Sequence, residues 1–360
     1  MSQTSEYPFP AEARSNENFT QIVQQQYGEP RNVLTLVTKS LSELAVGDGD
    51  VLIRVSKRAI HPGDVHILRG ASNGGSRAPI SPEIGRVPGF EGVGTILRVG
   101  AKIQGTEPFV VGQRVIFFHG AARAWSTHVV VPASAVFAVP DSISDDVAAQ
   151  LLINSITALE MLRTGHDSLP RDAGLSPFVL ITAAASSVNR LVAGIALGLG
   201  VRPILLVRSE EGAVKLRAKS SNVPVISTAA NNWKDKIASE LDGTPLYCAF
   251  DAVGGVFLND IASVLSDGAT IVSVGWQGEG TPDLSMFAPR GLAIKGVSLG
   301  RWGINNDSEQ RAKHVETAIK LGVTSPQLFE VEAQYNLSDF QLAIDHVFRP
   351  GKSGVVILNS

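Results

Sequence analysis

The stretch LITAAASSVNRLVAGIALGLG, from Leu180 to Gly200, decides how the chain is read. It opens in the apolar run FVLI (178–181), the length of a buried strand. A knot of small residues follows. Beyond it Val188, Leu191, Val192, Ile195 and Leu199 recur at the spacing of one helix face. Strand, tight turn and helix in that order outline a dinucleotide-binding turn. In the usual fingerprint a first glycine permits the tight turn, a second lets backbone approach a pyrophosphate, and a third allows close packing of helix on strand. Those three places hold Ala184, Ser186 and Asn189 here.

Helix-start amides attract anions whatever side chains they carry. The expected pyrophosphate contacts are therefore Ala184, the Ser186 hydroxyl, and the amides of Ser187, Val188 and Asn189. Asn189 is the real departure, because it adds bulk where helix and strand meet, although asparagine tolerates left-handed backbone better than most residues. On this reading Asn189→Gly keeps cofactor binding or improves it. The competing reading is a βα turn that has lost its ligand.

The rhythm continues downstream. PILLV (203–207), VPVIS (223–227), LYCAF (246–250), ATIVSVG (269–275) and AIKGVSLG (293–300) are apolar strands alternating with amphipathic helices. This predicts an α/β domain with a doubly wound parallel sheet of Rossmann type, covered on both faces. Such sheets bind ligands beyond the carboxyl ends of their strands. That edge carries DAVGG (251–255) and SVGW (273–276), which puts Val253, Gly254, Gly275 and Trp276 at the ribose and nicotinamide. An NAD-preferring enzyme ends its second strand in an acidic residue that takes the ribose hydroxyl. Here PILLV runs into Arg208 and Ser209, a cation and a hydroxyl suited to a 2′-phosphate, with Lys215 further along the helix. The cofactor implied is NADPH.

Upstream, short apolar runs cut by turn residues mark a β-rich region. VLIRV (51–55), GVGTILRVG (92–100), RVIFFH (114–119) and THVVVP (127–132) suggest a small barrel or sandwich. SISDDVAAQLL (142–152) follows, with Ser142 or Ser144 placed to cap a helix that starts on Asp145 and Asp146. After Asn305 two more helices and a last strand, GVVIL (354–358), are expected.

Composition narrows the function classes. A chain of 360 residues is too long for one ordinary core, so two domains are expected. The net charge of -3 and the lack of a Lys/Arg cluster argue against a nucleic-acid partner. A lone cysteine, Cys248, allows no intrachain disulfide and no cysteine-rich zinc site, which suits a reduced, cytoplasmic setting. Residues 1–19 hold no apolar core and three glutamates, unlike a signal or transit peptide, and read as a flexible tail. A mitochondrial address stays open. No stretch reaches the roughly 18 apolar residues of a membrane span.

These parts, in this order, resemble the medium-chain dehydrogenase/reductase superfamily from about Val33 to Leu358. The motifs that carry the resemblance are HPGD (61–64), GFEGVG (89–94), VVGQRV (110–115), INSITALEML (153–162), the small-residue turn, DAVGG and GVSLGRWG (296–303). The resemblance implies a chaperonin-10-like catalytic domain interrupted by the Rossmann domain, dividing as 20–153 with 304–360, and 154–303. Zinc-binding members need cysteine and histidine ligands. This chain has Phe90 in place of the histidine and no cysteine near His61, so no metal is expected. It is similar to the zinc-free branch of quinone reductases and 2-enoyl thioester reductases, with LGRW (299–302) leaning towards the latter.

The branch implies hydride transfer from NADPH to an activated C=C of a small-molecule thioester, ketone or acid. Quinone reduction is the alternative, and a non-catalytic cofactor-binding relative is a third. Asn154 and Thr157 resemble the family stretch that brings the nicotinamide into the cleft, and Lys352 a basic residue that reaches the cofactor. The enoyl reductases place a tyrosine proton donor where this chain reads ILRGASNGG (67–75), without one. His61 can donate a proton near neutral pH, or it is a structural residue paired with Asp64. Ser72 or water are the other candidates, and Trp125, Trp276 and Trp302 are candidates for a flat apolar pocket. The strand GVSLG (296–300) resembles one that relatives pair across a two-fold axis, implying a homodimer.

Overall fold

The computed structural model describes residues 17–70, 85–103, 109–120, 122–169, 176–220, 222–275 and 277–360. Of the expected tail, residues 1–16 lie outside this set, and Asn18 already begins a strand. The chain forms two compact units, residues 1–149 with 333–347 and 356–360, and residues 150–332 with 348–355.

The first unit starts with β1 (Asn18–Gln24), α1 (Pro30–Val33) and β2 (Leu34–Ser40), the two strands pairing antiparallel. Next come β3 (Asp50–Ile60), α2 (Pro62–Leu68), β4 (Glu91–Val99), β5 (Arg114–Phe118), β6 (His128–Pro132), β7 (Val136–Ala138) and α3 (Asp145–Ala148). Ser144 caps α3 by accepting from the Val147 amide. In β3, Val51, Leu52, Ile53 and Val55 are buried and Arg54 is exposed; β4 pairs along one edge while β6 and a late strand share the other. Two register shifts against β4 bend β3, which lets it serve both partners. Val51, Ile53, Val55, Ile96, Val115 and Phe117 fill the core beneath.

The second unit opens with α4 (Leu151–His166) and then alternates: β8 (Phe178–Ile181), α5 (Ser187–Gly198), β9 (Arg202–Val207), α6 (Glu210–Arg217), β10 (Val225–Ser227), α7 (Trp233–Leu241), β11 (Cys248–Asp251), α8 (Phe257–Val264), β12 (Thr270–Ser273), β13 (Ala293–Gly296), α9 (Leu299–Asn305) and α10 (Ser308–Thr324). All five strand pairs are parallel, in the order β10-β9-β8-β11-β12-β13. Strand order reverses between β8 and β11, and in such sheets that reversal opens the ligand crevice. β14 (Val331–Asn336), α11 (Phe340–Val347) and β15 (Val355–Asn359) close the chain, with β15 on β3 and β14 on β15.

Two expectations change. AIKGVSLG is a strand only to Gly296, because the Ser298 hydroxyl accepts from the Gly300 amide and starts α9. The division expected at 153 and 304 falls at 149 and 332 instead, since α10 packs on α4 and stays with the second unit.

Candidate functional site

The turn after β8 is built by short backbone bonds. Thr182 N–H donates to Phe250 O (2.9 Å), Ala184 N–H to Leu206 O (3.0 Å) and Ser186 N–H to Ala183 O (2.8 Å). The left-handed residue is Ala183, at φ 40°, one place before the first position of the fingerprint. Ala184 is buried. Ser186 caps α5 by accepting from the Asn189 amide (3.4 Å), while Ser187 and Val188 remain half-buried at the helix start.

Asn189 does not need the left-handed tolerance expected of it, for it is helical and fully buried. Its amide faces Ser186, and its Nδ2 donates to Thr182 O at 2.5 Å. The carboxamide thus bonds helix to strand in the seam where a glycine would let them pack. Asn189 is turned inward, away from the face offered to an anion.

Thr182 leads on to a second buried group. Its hydroxyl donates to Asp251 Oδ1 (2.9 Å) and accepts from Ala252 N–H (3.0 Å). Asp251 Oδ1 also accepts from Val253 N–H (3.0 Å), and Oδ2 from Gly254 N–H (3.0 Å) and the Ser273 hydroxyl (2.8 Å). Ser273 Oγ in turn accepts from Gly275 N–H (3.0 Å). A Cβ on Gly275 would lie 2.5 Å from Val253 N, so only glycine fits there. The structure therefore brings together Ser186 to Asn189 with Val253, Gly254 and Gly275. Trp276 lies outside the described residues, as does Ser72.

At the end of β9, Arg208 and Ser209 are both exposed, and Ser209 caps α6 through the Gly212 amide (3.1 Å). Glu211 pairs with Lys215 (2.7 Å) and Glu210 with Arg217 (2.7 Å), so the two acids beside Arg208 are engaged by other cations. Lys215 consequently brings a shared rather than a free charge. Lys352 is half-buried and donates to Gly354 O (2.6 Å); burial pushes its pKa down, nearby Glu332 opposes this, and Arg190 adds to it.

Asn154 sits inside α4 rather than at its start, and its Nδ2 reaches back to Gln150 O (3.4 Å). Thr157 likewise donates to Ile153 O (2.7 Å). Both side chains are folded onto their own helix.

His61 belongs to the first unit. It precedes α2, with its backbone N–H donated to Asp64 Oδ2 (2.7 Å) and its ring Nε2 2.7 Å from Glu91 Oε1. The ring partner is Glu91, on β4, and Asp64 holds the backbone instead. Burial pushes the Asp64 carboxyl up to about 6. Trp125 is a fully buried core residue, and Trp302 is half-buried and donates to His314 Nδ1 (2.9 Å). Cys248 is buried in β11, with its thiol pushed up to about 12, which leaves no thiolate for chemistry. Among the described residues no group of three His, Cys, Asp or Glu side chains is placed to hold a metal ion.

Sequence reasoning passed over Thr182, Asp251, Ser273 and Glu91. The signal for Asp251 was present: an acid ending an apolar strand just before two glycines. Its partners come from three separate strands, a juxtaposition that sequence spacing does not show.

Residues 47–141 match the alcohol dehydrogenase GroES-like domain family. The chain is 28% identical over 342 residues to the mitochondrial enoyl-[acyl-carrier-protein] reductase of Homo sapiens, covering 94% of this chain and 87% of that protein. Its identity to the Arabidopsis thaliana protein of the same name is 27% over 340 residues, covering 92% and 85%. A Bacillus thuringiensis structure described as an NADPH:quinone reductase superposes with a TM-score of 0.81 at 25% identity, over 96% of this chain and 100% of that one. A mutant form of an enoyl thioester reductase from Candida tropicalis shares the fold at a TM-score of 0.77 and 16% identity, over 96% and 100%. No described helix is long and apolar enough to cross a membrane. With the GroES-like segment, the doubly wound sheet and these relatives along nearly its whole length, the chain is similar throughout to the medium-chain dehydrogenase/reductase superfamily.

Proposed function

We propose that this protein is an NADPH-dependent, metal-free oxidoreductase that reduces an activated C=C in an α,β-unsaturated thioester, ketone or acid. One observation carries the reading: a complete dinucleotide turn and strand-end floor in a chain whose near full-length relatives are named enoyl reductases. The residues present suit the cofactor. The half-buried start of α5, at Ser186 to Val188, offers amides and a hydroxyl to a pyrophosphate. The exposed Arg208 and Ser209, with Lys215 and Lys352 as further basic groups, suit the phosphates. Gly275, with no room for a Cβ, lets its loop lie close against the Val253–Gly254 backbone at the strand ends, where a ribose and nicotinamide would bind.

Bound NADPH is the source of the hydride in such a reaction. This chain's part is to orient, to hold a carbonyl oxygen as charge develops and to supply a proton to the α-carbon. His61 is the proposed proton donor, its ring held by Glu91, and Asn154 is a second proposed catalytic residue. The metal-free part of the reading rests on Phe90 and the buried lone cysteine. Quinone reduction is the second reading, favoured by the Bacillus thuringiensis relative and by a hydride acceptor that needs no fixed acid.

NADPH oxidation measured with crotonyl thioesters, enones and 1,4-quinones separates the two. NADPH binding without turnover on any acceptor would leave only the non-catalytic alternative. The enzyme is further proposed to be cytoplasmic and to form homodimers along β13, whose outer edge is unpaired among the described strands and exposes Ile294. Light scattering at micromolar concentration tests the dimer; a monomeric mass would reject it.

A further inference from the structure

We propose that Asp251 and Asn189 are positioning residues of the cofactor site, Asp251 holding its nicotinamide half and Asn189 its pyrophosphate end, acting through one buried chain of hydrogen bonds. The inference rests on the NADPH reading above. Asp251 is 0% exposed, and its carboxylate accepts four donors drawn from three strand ends: Thr182 after β8, Val253 and Gly254 after β11, and Ser273 at the end of β12.

The chemistry of the side chain explains why an acid is kept there. Two carboxylate oxygens present about four acceptor sites and no donor. An asparagine would turn two hydrogens towards N–H and O–H groups that are already donors. A buried charge without a cation is costly, and four converging donors are the compensation this fold supplies.

The consequence is geometric. The bonds to Val253 and Gly254 draw that loop inward, and Ser273 passes the constraint to Gly275 through its hydroxyl. Val253 O then accepts from Gln277 N–H (3.0 Å) and Gly278 N–H (2.8 Å), which clamps the two loops together. Asn189 closes the other end, bonding Thr182 O from the first turn of α5. The chain Asn189–Thr182–Asp251–Ser273 thus connects the helix start, where a pyrophosphate binds, to the strand ends, where a nicotinamide binds. Neither Asn189 nor Asp251 touches the reacting atoms. Asn189→Gly, which restores the usual fingerprint residue, removes one of these bonds and is now expected to weaken binding.

Calorimetric titration with two ligands tests this. NADPH spans the whole site, whereas adenosine 2′,5′-bisphosphate occupies only the adenine half. Asp251→Asn is expected to weaken NADPH by about tenfold or more, the size of a lost charge-assisted hydrogen bond, and to change the bisphosphate less than about twofold. Ser273→Ala, a milder change made in case Asp251→Asn does not fold, is expected to show the same split at a few-fold, whereas Asn189→Gly, at the pyrophosphate end, is expected to weaken both ligands by a few-fold. Folded Asp251→Asn or Ser273→Ala variants that lose both ligands equally, or any of the three variants that keeps wild-type NADPH affinity, overturn the inference. A wild-type chain that binds neither ligand overturns the NADPH reading, and this inference with it.

Discussion

Replacing Asp64 by asparagine tests the electrostatics of the first unit's buried corner. Asp64 is 3% exposed; its Oδ2 accepts from His61 N–H, and its Oδ1 has no donor among the described residues. Gln24, whose Oε1 is a second buried acceptor without a donor among the described residues, lines the same small cavity, together with Arg86 and Phe90. Two orphaned acceptors around one cavity favour a proton on the carboxyl. Burial is the largest cause of its rise from 3.8 to about 6; Glu91 pushes the same way, and His61 and Arg86 oppose it. That rise is about two units at about 1.4 kcal/mol each, or about 3 kcal/mol.

A raised carboxyl pKa means the folded state holds the proton more tightly than the unfolded chain. Stability therefore falls as pH climbs from about 4 to about 6, and the full cost persists above that. Asparagine keeps an acceptor for His61 N–H and puts a donor where Asp64 has the orphaned oxygen. The variant is expected to match the wild type near pH 4 and to exceed it by about 2–3 kcal/mol near pH 7.5. Urea midpoints followed by tryptophan fluorescence across that range give the comparison. Parallel pH curves, or a variant less stable than wild type at the upper end, would refute the reasoning.

Arg58 is fully buried, its pKa pushed down to about 9 by burial, and it donates to the carbonyls of Ala124, Ser126 and Leu358. Arg58→Met strands all three and is expected to cost about 3 kcal/mol in a denaturation midpoint; a change below about 1 kcal/mol would contradict it. Ala183 stands at φ 40°, where L-residues are strained by about 1–2 kcal/mol, so Ala183→Gly is expected to stabilise by about 0.5–1 kcal/mol after glycine's entropy cost. A lower melting temperature would show that this strain is not stored there. Arg208→Ala is expected to raise KM for NADPH far more than for NADH, and equal effects would remove the 2′-phosphate assignment. Turnover is expected to survive a chelator; loss restored by zinc would reject the metal-free reading.

The chain's periodicities were enough to read the second unit. FVLI, PILLV and LYCAF are continuous apolar runs because parallel strands are buried on both faces, and each is a strand within two residues of its expected place. The early, antiparallel β-strands were legible as short apolar runs cut by turn residues, and the cap at Ser144 from the two acids that follow it. Less local features were not. AIKGVSLG has strand composition throughout, yet a single serine cap turned its second half into a helix. His61 and Asp64 are three apart and invite pairing, but the ring went to Glu91, thirty residues on, because β4 brings it there.

The turn at 180–200 shows the division most plainly. Its strand, turn and helix follow from spacing and residue size alone, so the sequence by itself determined the element order and the kind of ligand suited to it. What Asn189 does could not be read that way, since its partner is a carbonyl at the strand end, and the next bonds run to Asp251 and Ser273 on two other strands. Side-chain hydrogen bonds reach only about 3 Å, and only the folded sheet brings residues 182, 189, 251 and 273 within that reach.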